Sequence, residues 1–197
     1  MVIASQDITT FSQGGDARRL FYTGNYEWAL KMTFRYLGKY EVAVATVHDT
    51  FLRLFRLIGQ GKVPANPHGH FPHGYLPHGH LPDGRWVKDV FIKAAVNAAL
   101  QGAAQDTTPV REGNVRTYLL ELAVWDDERA EPSKYRNDIT QLLLLPLYPR
   151  LAYNICVIEG CSIGEATGLL GINESQVAGH VQKARTLLKN AMTKSFQ

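Results

Sequence analysis

Ser162 and Glu165 stand three residues apart, Gly171 follows a Leu-Leu pair, and Asn173 precedes a run of helix-compatible residues from Glu174 towards Met192. A serine with glutamate three positions on is a capping box, in which each side chain satisfies a backbone amide that the helix start leaves open. Leu169-Leu170-Gly171-Ile172 then closes the short helix in a tight turn, and Asn173 caps the next one. Short helix, glycine turn and longer helix is the pattern of a helix-turn-helix, whose second helix enters the major groove of DNA. It is the most constrained stretch of the chain.

Helical spacing runs through the rest. From Val44, apolar residues fall at Val47, Phe51, Leu54, Phe55 and Ile58, steps of three and four that draw one stripe, while His48, Asp49, Arg53 and Arg56 fall opposite. The stretch FYTGNYEWALKMTFRYLG supplies a partner helix ending near Gly38, predicted to pack antiparallel, with Trp28 and its neighbouring aromatics in the core. Helical composition resumes in VKDVFIKAAVNAALQGAAQ and in VRTYLLELAVWDDER, before the polar AEPSKYRND. Residues 139–145 start a further helix, Pro149 starts the next, and Gly160 stops it. No strand pattern is readable. The expected fold is all-α, with two small helical domains, 10–105 and 139–194, joined by an acidic linker over 106–138.

A chain of 197 residues buries one good core or two small ones. With 45% apolar and 20% charged residues, neither a disordered coat nor a collagen-like chain is compatible. Cys156 and Cys161 are too few for a disulfide framework and lack the spacing of a structural zinc site, so they read as reduced core thiols in a cytoplasmic protein. Without a leader-like amino terminus or an apolar run that could span a bilayer, export and membrane insertion are not expected. Residues 1–105 carry 11 basic and 7 acidic side chains, 106–138 carry 5 and 8, and 139–197 carry 5 and 3. Two weakly basic blocks flanking an acidic connector fit two modules working near a polyanion. No Ser/His/Asp or Cys/His arrangement and no phosphate-cradling glycine loop is readable, so neither enzymatic activity nor a cofactor is expected.

The residues 145–192 resemble region four of the bacterial sigma-70 superfamily, most closely the small two-domain extracytoplasmic-function sigma factors. The resemblance is carried by Leu145-Pro146, Glu159-Gly160, Ser162 with Glu165, Leu170-Gly171-Ile172, Val177 and Ala184-Arg185, in register over the whole stretch. ATVHDTFLRLFR similarly resembles the region-two helix that docks on the polymerase clamp, and VFIKAAVNAAL the helix that melts the −10 element. The resemblance implies a subunit that binds the clamp and flap of core RNA polymerase, recognises promoter DNA including its non-template single strand, and catalyses nothing itself. It places polymerase contacts at His48, Asp49, Leu52, Arg53 and Arg56. It places DNA contacts at Lys93 and Asn97, at Arg85 and Trp86, and, in the last helix, at Ser175, Gln176, His180, Lys183 and Arg185.

Departures from the family pattern bear on DNA reading. The docking helix has Ala45 where relatives carry an acid and His48 where they carry glutamine. After Asn97 the expected basic run is replaced by AALQGAAQD, which removes phosphate attraction near −10. In the recognition helix Ala178 and His180 stand where Lys and Arg are common, which leaves Gln176 as the candidate for a bidentate base contact, with Lys183 and Arg185 near phosphates. The expectation is weak intrinsic promoter reading and assistance from a second DNA-bound protein, such as an activator or a nuclease-dead RNA-guided binder. An anti-sigma protein is a further partner compatible with the family.

Between the two halves of the first domain, 60–86 holds four tandem pentapeptides, PHGHF, PHGYL, PHGHL and PDGRW, a succession of Pro-Gly turns. Three readings stand. It packs its Phe and Leu residues as a duplicated turn segment; it meets nucleic acid or a partner through Phe71, Tyr75, Arg85 and Trp86; or it binds metal through His68, His70, His73, His78 and His80, although no closed ligand set is readable. The last would make the chain a metal-responsive helix-turn-helix regulator acting without polymerase. The acidic cluster Asp126, Asp127 and Glu128 reads as solvated surface or as a nucleic-acid mimic in the linker.

Overall fold

The structure, a computed structural model, describes residues 15–60, 84–105 and 139–194. Among these every regular element is helical: α1 (Gly15–Leu37), α2 (Tyr40–Gly59), α3 (Gly84–Gln105), α4 (Leu147–Tyr153), α5 (Ile163–Leu170) and α6 (Glu174–Lys194). A helical turn at 139–143 precedes α4, and a π-helical turn, Asn154–Ile158, follows it. The all-α expectation holds. The expected helix over 115–129, the pentapeptides at 61–83 and the acidic cluster at 126–128 lie outside the described residues.

The half of α1 written ALKMTFRYL is apolar nearly all round, which is the composition of a helix covered on every side. Ala29, Leu30, Met32, Thr33, Phe34, Tyr36 and Leu37 are all buried. Gly38 ends the helix in the left-handed region, φ 69°, with its amide donating to Phe34 O at 2.8 Å. After only two linking residues α2 turns back: Phe21, near the start of α1, meets Phe51 and Phe55 in the far half of α2, with ring centroids 5.8 and 6.2 Å apart. That is the predicted antiparallel pair. Phe91 of α3 completes the unit edge-on to Phe51 and Trp28, at 5.0 and 5.8 Å, so Trp28 belongs to the core as expected.

The C-terminal helices start earlier than Pro149. Leu147 opens α4 behind Pro146, and Pro149 sits in its first turn, where a missing amide proton leaves no bond unmade. The buried Arg150 ties 139–143 to α4 by donating to Leu143 O at 2.8 Å, and burial pushes its guanidinium down to about 10. The helix then widens: the Glu159 amide donates to Asn154 O, five residues back, and Gly160 closes the turn at φ 74°. Such single π turns recur at functional sites. In this register Val157 and Ile158 are exposed, whereas the Glu159 side chain is only 5% exposed.

The two groups of helices are packed together. One apolar cluster runs from α1, α2 and α3 to Leu151, Ala152, Ile155, Ala166, Leu170 and Val177, and a smaller one joins Leu142 and Leu145 to Ala184 and Leu188 of α6. At the junction the Glu159 carboxylate takes Arg35 of α1 at 2.7 Å and Lys88 of α3 at 2.9 Å, and Lys88 also donates to Glu159 O at 3.0 Å. Arg85 reaches Glu165 of α5 at 2.7 Å.

The central aromatic contact makes a contrast with its neighbour testable. Phe51→Ala, at a position 1% exposed, is expected to lose about 3–5 kcal/mol in urea unfolding, and Leu52→Ala, at 62% exposed, to stay within about 0.5 kcal/mol.

Candidate docking face and nucleic-acid interface

The buried stripe of α2, Ala43, Val47, Thr50, Phe51, Leu54 and Ile58, turns the opposite face outward. Asp49, Leu52, Arg53 and Arg56 all lie there, exposed along two helical turns. Leu52 stands 62% exposed between these charged residues, one of several large apolar side chains left exposed among the described residues. His48 is also exposed but sits at the edge nearer α1. Its Nδ1 is 3.1 Å from the Tyr22 hydroxyl, its ring stacks on Tyr22 at 5.7 Å, and Tyr26 closes the group at 5.6 Å. Burial raises the Tyr22 phenol above its ordinary range, and also that of Tyr26, where neighbouring Tyr22 and Tyr40 add to the shift. These tyrosines gave no functional signal in the sequence, where they read as core.

Lys93 and Asn97 lie one turn apart on the exposed face of α3. Arg85 and Trp86 depart from expectation: they belong to the first turn of α3 rather than to the turn-rich insertion. Arg85 is engaged by Glu165, and Trp86 is half-buried and packed against the core. The histidines at 68–80 lie outside the described residues.

α5 and α6 are each started by reciprocal caps. Ser162 donates to Glu165 Oε2 from its amide at 2.7 Å and its hydroxyl at 2.8 Å, while the Glu165 amide donates back to Ser162 Oγ at 3.2 Å. The second box is Asn173 with Gln176: the Gln176 amide donates to Asn173 Oδ1 at 2.9 Å, and the Asn173 amide to Gln176 Oε1 at 3.0 Å. Gln176 therefore turns its Oε1 to the helix end, whereas the bidentate base contact expected of it needs that oxygen turned to a base edge. The signal was present, since a glutamine three residues after an N-cap asparagine follows the capping-box spacing.

The exposed face of α6 carries Ser175, Ala178, Gly179, Gln182 and Thr186. Lys183 and Arg185 are exposed on its two flanks, a placement suited to phosphates on either side of a groove. Thr186 turns its hydroxyl back to Gln182 O at 3.1 Å. Gln182, two turns from Ser175 on the same face, is a polar group the sequence reading missed. His180 does not point out with them: it stacks on Tyr148 of α4 at 5.5 Å with an interplanar angle of 19°. The exposed face thus offers few donors to base edges, with cations at Lys183 and Arg185 on its flanks and at Lys189 one turn beyond Arg185.

No family model matches the chain, and no curated protein matches it. No helix among the described residues is long and apolar enough to cross a membrane.

Glu165 gives a direct check on the local electrostatics. The amide and hydroxyl of Ser162, and then Arg85, hold its carboxyl below the ordinary carboxylate range. Its contribution to stability is therefore full above that range and lost as pH falls through the lowered value. Carboxyl-detected NMR titration is expected to show this depression in the wild type and its partial return in Ser162→Ala.

Proposed function

We propose that the chain is a sigma-type promoter-recognition subunit that docks on core RNA polymerase through α2, presents α6 to DNA, and depends on a second DNA-bound protein for targeting. The observation that carries the docking half is the α2 face, where Asp49, Leu52, Arg53 and Arg56 are exposed together around one large apolar side chain. Interfaces combine apolar contacts at their centre with charged groups at the rim, which set register and on-rate. The tyrosine pair beside His48 holds that ring in one orientation at the edge of the face, so the departure from the family's glutamine changes a contact without removing the surface.

The targeting half is supported by what α6 lacks. A protein that reads sequence places bidentate donors and acceptors on the groove-facing side, each worth about 1–3 kcal/mol of discrimination. Here Gln176 caps the helix, His180 is stacked, and Ala178 and Gly179 bring no polar side chain. Lys183 and Arg185 supply attraction to phosphates of any sequence. Placement by a partner compensates for that deficit. No chemistry of its own is assigned to the protein.

Co-elution of the full chain with core RNA polymerase tests this. The wild type is expected to co-elute. Leu52→Asp is expected to weaken binding about thirtyfold or more, the scale of losing one hot-spot anchor, and Glu27→Gln on α1 to leave it unchanged. A wild type that does not co-elute, or a Leu52→Asp chain that binds as well as wild type, would overturn the proposal.

A further inference from the structure

Cys156 and Cys161 flank the close of the π-helical turn. Glu159 caps that turn, Gly160 takes the left-handed region at φ 74°, and Cys161 follows. Where a helix ends on a left-handed glycine, the residue after the glycine folds back over the last turn, and its side chain commonly touches those four or five places behind the glycine. Cys161 and Cys156 hold these two positions.

Backbone hydrogen bonds fix the fold-back. The Cys161 amide donates to Ile155 O at 3.0 Å, and the Glu159 amide to Asn154 O at 2.9 Å. Cys161 is thereby held at the carbonyl of the residue next to Cys156. The two thiols also have common neighbours, since both act on the buried Tyr36 phenol and Glu165 acts on both. Each packs part of its surface on the same apolar cluster and leaves part open to solvent, and both are free thiols. A disulfide requires two Cβ atoms gathered on one side of the backbone, which a fold-back of this kind supplies.

We propose that Cys156 and Cys161 are a reversible modification site, at which a low-molecular-weight disulfide of the glutathione type drives formation of an intramolecular disulfide that locks the π-helical turn. One protein thiolate attacks a sulfur of the small disulfide, breaking its S–S bond and releasing one small thiol. The second protein thiolate attacks the protein sulfur of that mixed disulfide and releases the other. Both cysteines give up their protons and are oxidised, and one small disulfide is reduced to two small thiols.

The surroundings set the rate. Burial first and Glu165 second raise both thiols, while at Cys161 Asp89 and Glu159 add to the rise and Lys88 opposes it. The thiolate is the attacking species, so closure is slow at neutral pH and speeds up about tenfold per pH unit towards the raised values.

The full chain, reduced and then treated with oxidised glutathione at mildly alkaline pH, tests the site. Mass spectrometry under non-reducing conditions is expected to show a single chain two hydrogens lighter and free of glutathione. Proteolysis after Glu159 is expected to leave the fragments carrying Cys156 and Cys161 joined until dithiothreitol parts them. Hydrogen exchange over 154–161 is expected to slow about threefold or more on oxidation of the wild type, and not in Cys156→Ser treated alike. Separate glutathione adducts on the two cysteines, a disulfide between two chains, or thiols left unmodified under conditions that close the bond in the urea-unfolded chain would overturn the proposal. So would a closed bond that leaves exchange over 154–161 unchanged, or a slowing that Cys156→Ser reproduces. Neither polymerase nor nucleic acid takes part, so failure of the docking proposal leaves these readouts unaffected.

Discussion

One carboxylate sits at the centre of the polar junction between the two groups of helices, beside the apolar cluster that they share. Glu159 is buried with Arg35 on one oxygen and Lys88 on the other, and both cations come from helices distant in the chain. Burying a carboxylate is costly unless charge partners replace its water, and two cations at hydrogen-bonding distance do that. Removing one partner of such a group typically costs about 3–5 kcal/mol. Its field also reaches the neighbouring Tyr36, whose phenol is pushed well above its ordinary range by burial first and by Glu159 second. The π-helical turn after α4 is the local device that carries this side chain inward, since the wider turn ends at the residue that must face α1 and α3.

From that contact the arrangement of surfaces follows. With α1 and α3 each turning one face to the C-terminal helices, the exposed faces of α2 and α6 stand beside the Lys93–Asn97 face of α3 as helical surfaces open among the described residues. The two differ in kind. The α2 face combines an apolar anchor with charges, as protein docking requires. The α6 face is short of base-reading groups and flanked by cations, as expected of a helix that rests on a nucleic-acid backbone more than it reads one.

What was legible in the sequence was local. The Ser162–Glu165 box, the stops at Gly38, Gly160 and Gly171, and the α2 stripe each depend on residues three or four apart or on one backbone angle, and the chain displays those directly. Legibility ended where one side chain had two possible uses. Gln176 fits a base edge and a capping box equally well by type, and only the 3.0 Å contact with Asn173 decides between them. It ended again where a partner was far away: Glu159 lies 124 residues from Arg35 and 71 from Lys88, and no periodic pattern encodes such a pairing. Pro-Gly turns precede Arg85 and Trp86 and read as a loop, whereas helix α3 begins at Gly84 and takes both into its first turn.

The central claim is that the chain directs initiation by core RNA polymerase yet needs help to find its promoter. Run-off transcription with purified components tests it most directly: core polymerase and this chain on a panel of templates, alone and with DNA-bound candidate partners. The account predicts little initiation from polymerase and chain alone, and defined start sites once the partner is bound. Efficient initiation by the chain alone at a shared −35/−10 pair would contradict the partner requirement, and no initiation with any partner would contradict the sigma reading itself.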